Sequence, residues 1–571
     1  MKNIIFTFVS ISILGALLVA GCGSTISSSG GGGGTPVPTP LIPDIYVSTT
    51  GSDEGGDGSE DNPYRTIQKG LNETAADKKV VGVKNGTYEV STITWPITTE
   101  GVVLLGESRA GVVIVDNNSS SATLRIYDLL PASQTITIEG VTFTGAERAG
   151  VGAGGSVFSN FSNGNGVDLN VRNTLFISNE ANEGAAIYFG GNGSGSLFIE
   201  NCSFIDNHSE AAANKGGAVR IANVNQTGLV RNSTFECNSI EGPSNYSYGG
   251  AINGTDMMIS GCTFNKNHAH NGSTTMGDGG AVFSYGNVTI ESSTFSGNTA
   301  EGDAGALFVW DGMLLDASGC IFISNSAEVN GGAVRSGNGE MKMSGCLFQG
   351  NITGGNGGGI YSSSNDIGEA SVTRSTFSGN VAGTGGGAYF TQADVTTCEF
   401  SGNLSTNNAA GVYISGGGSF VNCLFFNNIA AASMGALFHY GLTLEVFNCD
   451  FVSNEASSSP GIFLGNGTAR HSNIINCIVW GNIGSGAQIA VTGGGPYTVA
   501  YSDVMNGISG TGNVNIYPEF SDFPPASCGN LRLTASTSFE ITAGGTTEGA
   551  PLNDYDGAAR TPPYSMGAFE Q

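Results

Sequence analysis

The chain has 571 residues, enough for three or four globular domains unless it is built from repeats. Ninety-one glycines, 39% apolar and only 12% charged residues exclude a helical protein and a disordered one, and leave a turn-rich all-β chain as the class that fits. With 20 basic against 47 acidic residues, the net charge of −27 repels DNA, RNA and anionic surfaces, so no nucleic-acid partner is expected and acidic polysaccharides would need a bridging divalent cation.

Lys2 precedes an apolar run from Ile4 to Ala20, and Val19, Ala20, Gly21 and Cys22 close it: a positive n-region, an apolar h-region and a small-residue cleavage site. Those last four residues resemble the lipobox of bacterial lipoproteins, which implies that Cys22 is acylated and becomes the mature N-terminus. Residues 1–21 are therefore read as a lipoprotein signal peptide and 22–43, with its SSSGGGGGTPVPTP run, as a flexible extended tether. The expected address is the bacterial cell envelope, at the outer membrane or cell surface, with the membrane as partner through Cys22. No other stretch of about 18 apolar residues could span a bilayer as a helix.

Residues 44–145 are expected to cap and start the body. Asp53, Glu54, Asp57, Glu60 and Asp61 alternate with glycine there; Asp53, Asp57 and Asp61 are the candidate Ca²⁺ ligands, although the EF-hand pattern is missing and a solvated capping loop explains the run first. Ca²⁺ is thus a possible ligand and no cofactor is required. The segment from Ile45 to Leu71, with VKNGTYEV further on, resembles the opening of pectate-lyase-like β-helix proteins, where it caps the first coil.

Residues 146–499 are read as the repetitive β-helix, and from about residue 174 the sequence repeats one pattern: a small residue, any residue, Phe, two residues, Asn, a variable loop, then Gly, Gly or Ala, Ala and an aliphatic. The phenylalanines are Phe176, Phe204, Phe235, Phe264, Phe295, Phe322, Phe348, Phe377, Phe400, Phe425 and Phe451, with Val479 in the next place, at spacings of 23 to 31 residues. Apolar or small residues near period two, as in Val288, Ile290, Ser292 or Ser293, and Phe295, are strand chemistry, and such short strands bury their inner faces only by stacking coil on coil. The phenylalanines are expected to stack inside. Three residues later stand Asn179, Asn207, Asn238, Asn267, Asn298, Asn325, Asn351, Asn380, Asn403, Asn428, Asn454 and Asn482, expected to turn the chain in a left-handed conformation and to bond amide to amide between coils. Two residues before the Phe position, Cys202, Cys262, Cys320, Cys346, Cys398, Cys423, Cys449 and Cys477 should face inward as small apolar side chains; disulfides between coils stay open.

The paired signatures, as in CIFISN and GGAV between Cys320 and Val334, resemble the repeats of chlamydial polymorphic outer-membrane proteins and related β-helix proteins. That resemblance implies a cell-surface solenoid, several of its members being adhesins, with lipid at Cys22 expected in place of their outer-membrane barrel. The fold class expected is all-β, a single right-handed parallel β-helix. Residues 500–571 should supply the final coils and a C-terminal cap; YSDV at Tyr501, GTGNVNIYPEF at Gly510, DYDGAAR and MGAFEQ resemble the end region of choice-of-anchor Q proteins.

No catalytic set is recognisable: neither a lyase base beside Ca²⁺-holding carboxylates nor paired Asp residues on neighbouring strands. Lys266, Arg335 and Lys342 fall at different coil positions, His268 and His270 give a weak metal signal, and Asp554 and Asp556 read as turn formers beside Arg560. The function expected is a surface scaffold for adhesion or for glycan or protein recognition, presented by the loops after each Asn, such as AEGDA after Asn298 and STNNA after Asn403. The alternatives are a glycan-active enzyme of the polysaccharide lyase type and a structural envelope protein.

Overall fold

The computed structural model describes residues 41–570, apart from residues 96–98, 118–120, 127–133, 148–153, 162–165, 211–214, 243–245, 271–276, 364–369, 467–470, 522, 526, 528–530 and 548. The expected signal peptide, 1–21, most of the tether, 22–43, and Cys22 itself lie outside the described residues. One turn shows how the repeat folds. Val282–Ser284 runs along one sheet, Val288–Glu291 along a second, Thr294–Ser296 along a third and Thr299–Ala300 along a short fourth before the chain returns to Leu307–Val309, one level on. Every strand pairs in parallel with its equivalents in the turns above and below, so the expected all-β parallel β-helix is present. Among the described residues the sheets hold 15, 17, 16 and 11 strands in that order.

Two left-handed corners flank each Phe strand. The residue before the small-residue position and the residue before the ladder Asn carry positive φ, as at Ser292 (47°) and Gly297 (61°), or Asn422 (52°) and Asn427 (56°). This corrects one expectation: the left-handed residue is the one before each ladder Asn, and the Asn itself is turned inward. Glycine recurs at these corners because it lacks the Cβ that crowds the backbone at positive φ, and Asn and Asp tolerate that conformation; Cys237, Lys266, Arg374 and Thr397 also adopt it here. The Gly-Gly-Ala signature has a separate cause. A Cβ on Gly280 would lie 2.2 Å from Gly305 O and 2.4 Å from Thr299 O, so backbone from the next turn and from the fourth sheet occupies its place.

The core is a set of columns. Phe176 to Phe451 stack with ring centroids 4.6–4.9 Å apart, and Phe143, not singled out in the sequence, extends the column by one turn at 5.3 Å. Each ladder Asn donates its Nδ2 both to the Oδ1 of the Asn one turn on and to the carbonyl of the Phe one turn back, as Asn298 does to Asn325 (2.9 Å) and Phe264 (3.0 Å). Asn482 has no successor and donates instead to Gln488 Oε1 at 2.8 Å, while Gln488 Nε2 returns a bond to Asn482 O. The eight column cysteines are buried free thiols; burial pushes Cys202 and Cys477 up to about 12, and ladder positions without Cys hold Thr174, Ser233, Ser293, Ser375 and Ser502.

At the N-terminal end Thr66 caps the helix Ile67–Asn72, whose Ile67 and Leu71 plug the first turn. Asp503–Val504 is the last Phe-sheet strand, and Val514 bridges onto Asp503 to cover it. The chain beyond does more than close the end: it runs back along the outside of the Phe sheet. Phe520, Leu531, Ile541, Met566 and Phe569 pack on the outward Leu424, Phe426, Val452 and Ile478. The corner asparagines hold it there, Asn422 Nδ2 donating to Asn553 O (2.7 Å) and Asn427 Nδ2 to Pro525 O (2.6 Å). Among the described residues no helix is long and apolar enough to cross a membrane.

Candidate functional site

In the first sheet of each turn the aliphatic of the Gly-Gly-Ala-aliphatic signature points inward, so the next residue points out. That outward place is repeatedly aromatic. Tyr361, Tyr389, Tyr413, Phe438 and Phe463 follow one another turn by turn with centroids 5.2, 4.7, 4.6 and 5.0 Å apart. Further up the same row Phe283 stacks on Phe308 at 4.6 Å, and Phe158 on Tyr188 at 5.2 Å. From Tyr389 to Phe463 the rings lie face to face and turn their edges outward, while Tyr361 is tilted 35° to Tyr389; burial raises the pKa of Tyr361 and Tyr413, so they stay neutral donors. Two residues further along their strands, Trp310 and Tyr440 stand outside the stack and are 40% and 62% exposed. Trp310 is tilted 39–48° to Phe283, Tyr285 and Phe308, so its face stays available.

Charged groups line the edge of this row. Lys215, Tyr248 and Asp278 pair in register just before the glycines, and Asp303 follows one turn on. The Asp303 N–H donates to Asp278 Oδ1 at 2.8 Å, and Arg335 Nε lies 3.3 Å from Asp303 Oδ2 while its guanidinium covers Phe308 at 4.4 Å. Burial pushes Asp278 up to about 7; it also raises Asp303, against the pull of Arg335. Asp303 Oδ1 is buried without a hydrogen-bond partner. A second pair sits higher, Glu183 with Arg220 Nε at 3.7 Å, and there too burial outweighs the guanidinium and raises the acid. Tyr285 lies under both Lys215 (5.2 Å) and Arg220 (6.0 Å).

No family model matches the chain, and no curated protein does.

Solved structures do. The catalytic domain of a GH87 alpha-1,3-glucanase in complex with nigerose is 13% identical, with 81% of this chain and 69% of that chain covered and a TM-score of 0.35. A pectin methylesterase from carrot is 11% identical over 53% of this chain and 84% of that one, with a TM-score of 0.22, and the pectate lyase Pel9A is 12% identical over 92% and 96%, with a TM-score of 0.19. The reading of the site therefore rests on its own residues.

The candidates read from the sequence fall in several places. Asp53 accepts from the N–H groups of Arg65 (2.8 Å) and Thr66 (3.0 Å) and Asp57 from Ser59 N (2.9 Å), so both carboxylates serve the capping loop, and with Asp61 they do not converge as a ligand group. Hydrogen bonds to Thr66 and Ser59 hold the pKa of Asp53 and Asp57 below the usual carboxylate range. Asp554 Oδ1 accepts from Asp556 N and Ala558 N at 3.0 and 2.8 Å, as a turn former does, and the buried Arg560 pairs with Glu570 at 2.9 Å. Lys266 and Lys342 are exposed and apart, whereas Arg335 belongs to the aromatic face. Asp278 and Asp303 stand at the same place of successive turns, directly before GGAV and AGAL, with Asp278 closing the short strand Gly277–Asp278; reading the repeat by its Phe and Asn positions passes over this pair. The loops after each Asn are also more regular than expected: Thr299–Ala300 and Leu404–Ser405 are strands of the fourth sheet. The aromatic row escapes the repeat pattern as read from sequence, although VF, LF, IY, VY and IF after several of the glycine signatures signal it; Arg220, Asn253 and Arg335 take the same place in other turns. A concavity of about 470 Å³ between Arg65–Gln68 and Thr87–Ile93 belongs to the first turns, away from this face.

Proposed function

We propose that the protein is a glycan-recognition scaffold displayed at the bacterial surface, binding an extended carbohydrate chain along the outer face of the aromatic sheet and tethered by lipid at Cys22. The observation that carries the reading is the row of ring edges and hydroxyls repeated once per turn from Tyr361 to Phe463, with the tilted Trp310 and the exposed Tyr440 beside it. A repetitive polymer meets a repetitive surface, and many weak contacts act together. Amphipathic rings supply apolar contact with a polar handle, which suits sugars. The net charge of −27 favours neutral over acidic glycans. The repeat signature resembling polymorphic outer-membrane proteins, the tail resembling choice-of-anchor Q proteins and the lipobox support the surface address. The test is retention of the full chain on immobilised neutral and acidic polysaccharides. Tyr389→Ala with Tyr413→Ala should weaken retention about tenfold or more, on the usual cost of losing buried aromatic contacts at a binding surface; undiminished retention rules out this face.

A second reading, a glycan-active enzyme, has one observation in its favour. Asp278, pushed up to about 7, adjoins Asp303 on the next turn with Arg335 beside it, an arrangement able to keep one acid protonated next to one carboxylate. New reducing or unsaturated ends from a polysaccharide that the wild type binds, absent with Asp278→Asn, would establish it. Binding without product leaves the scaffold.

A further inference from the structure

The outer face of the fourth sheet carries a row of side chains that glycan binding along the aromatic sheet leaves unused. Glu210 pairs in register with Glu241, and Glu241 with His270. Glu301 takes the next place, since it follows Ala300, the partner of Ala269. Glu210 and Glu241 are neighbours about 4.8 Å per strand apart, where like charges repel, and His270 stands between Glu241 and Glu301. His270 meets two of them: its Nδ1 is 2.5 Å from Glu301 Oε1 and its Nε2 is 3.6 Å from Glu241 Oε1.

His268, two residues earlier and so on the same outer face, lies alongside His270 with ring centroids 5.5 Å apart. Its Nδ1 lies 2.5 Å from Thr299 Oγ1; an N–H donated there leaves the Nε2 lone pair for a ligand, the arrangement by which a hydrogen bond orients a metal-binding imidazole. One ligand atom from each of His268, His270 and Glu301 lies within 4.8 Å of the other two, and among the described residues no other group of three His, Cys, Asp or Glu side chains gathers so closely. All three side chains are half-buried, open to solvent for entry yet held by their sheet.

We propose that His268, His270 and Glu301 bind a divalent transition-metal ion of the zinc type, with Glu241 beside it. Ligand atoms around a tetrahedral zinc at about 2.0 Å stand roughly 3.3 Å apart, so small side-chain rotations complete the shell. Two imidazoles and a carboxylate prefer Zn²⁺, Ni²⁺ or Cu²⁺ to Ca²⁺ or Mg²⁺, which take oxygen ligands only. The ion would clasp two successive turns through these ligands and offset the repulsion along the glutamate column.

The full chain, stripped with chelator and titrated with Zn²⁺ in a calorimeter, should take up one equivalent, and its melting temperature should rise with Zn²⁺ but not with Mg²⁺ at the same concentration. His268→Gln combined with His270→Gln should lower the affinity about 100-fold or more and abolish that rise, while the metal-free proteins melt alike. Should the double variant misfold, Glu301→Gln reads the same site with a lesser change. No uptake by the wild type, or uptake and stabilisation that persist in these variants, overturns the proposal; uptake lost instead with Cys237→Ser, the exposed thiol, assigns the metal elsewhere and overturns it too.

Discussion

Phe322 sits between Phe295 and Phe348 with both centroids 4.9 Å away and no exposed surface. Truncating it removes two stacking contacts and leaves a hole that neighbours one rung away cannot fill without leaving their own register. Phe322→Ala is expected to cost about 3–5 kcal/mol in denaturant unfolding. Cys346→Ser should cost much less: Ser375 holds the same column place one turn on, and its Oγ already accepts the Cys346 N–H at 3.1 Å. Equal losses would mean that the column is not what holds the turns together. Both columns were legible because a stacked fold repeats its requirement every turn. The corner between them was less so. Ser324, at φ 54°, is exposed yet conformationally constrained, and its equivalents Gly297, Gly350, Gly379 and Gly402 were the signal that the residue before each Asn, not the Asn, makes the turn.

Among elements, the returning C-terminal segment departs furthest from the expected cap. Its docking surface is visible in the sequence once the repeat is aligned: where Thr294 and Ser296 flank Phe295, Leu424 and Phe426 flank Phe425, and Ile478 and Trp480 flank Val479. Leu424, Phe426 and Ile478 are buried under the returning segment, whereas Ile321 beside Phe322 stays 36% exposed. The acid pair at Asp278 and Asp303 becomes legible only when the repeat is aligned on its glycines, where DGGAV and DAGAL set both carboxylates at one place of successive turns. At the junction of helix and tail, Asp503 is buried, its Oδ1 accepts from Ile516 N at 3.0 Å, and its Oδ2 has no partner. Burial pushes its pKa from 3.8 up to about 7. The folded chain therefore holds a proton that the unfolded chain gives up, so this group's contribution is full below pH 3.8 and declines as pH rises to about 7. Asp503→Asn should flatten the fall in urea midpoint across that window. A pH profile parallel to the wild type would show that Asp503 does not titrate with folding.

At the scale of the whole molecule, 16 strands of the Phe sheet stacked at about 4.8 Å make a rod roughly 70 Å long. Whether it stands on a membrane is decided at Cys22: labelled palmitate should enter the wild type and vanish with Cys22→Ser, and incorporation that survives the change removes the anchor. A rod of this kind has a direction. Every ladder amide donates toward the C-terminal end, from Asn179 onward, so the column ends in an Nδ2 seeking an oxygen. Gln488 supplies that oxygen from within the chain. One side chain thus closes the column as the Ala146 N–H closes its other end on Asn179 Oδ1, so the polarity of the ladder is spent within a single molecule.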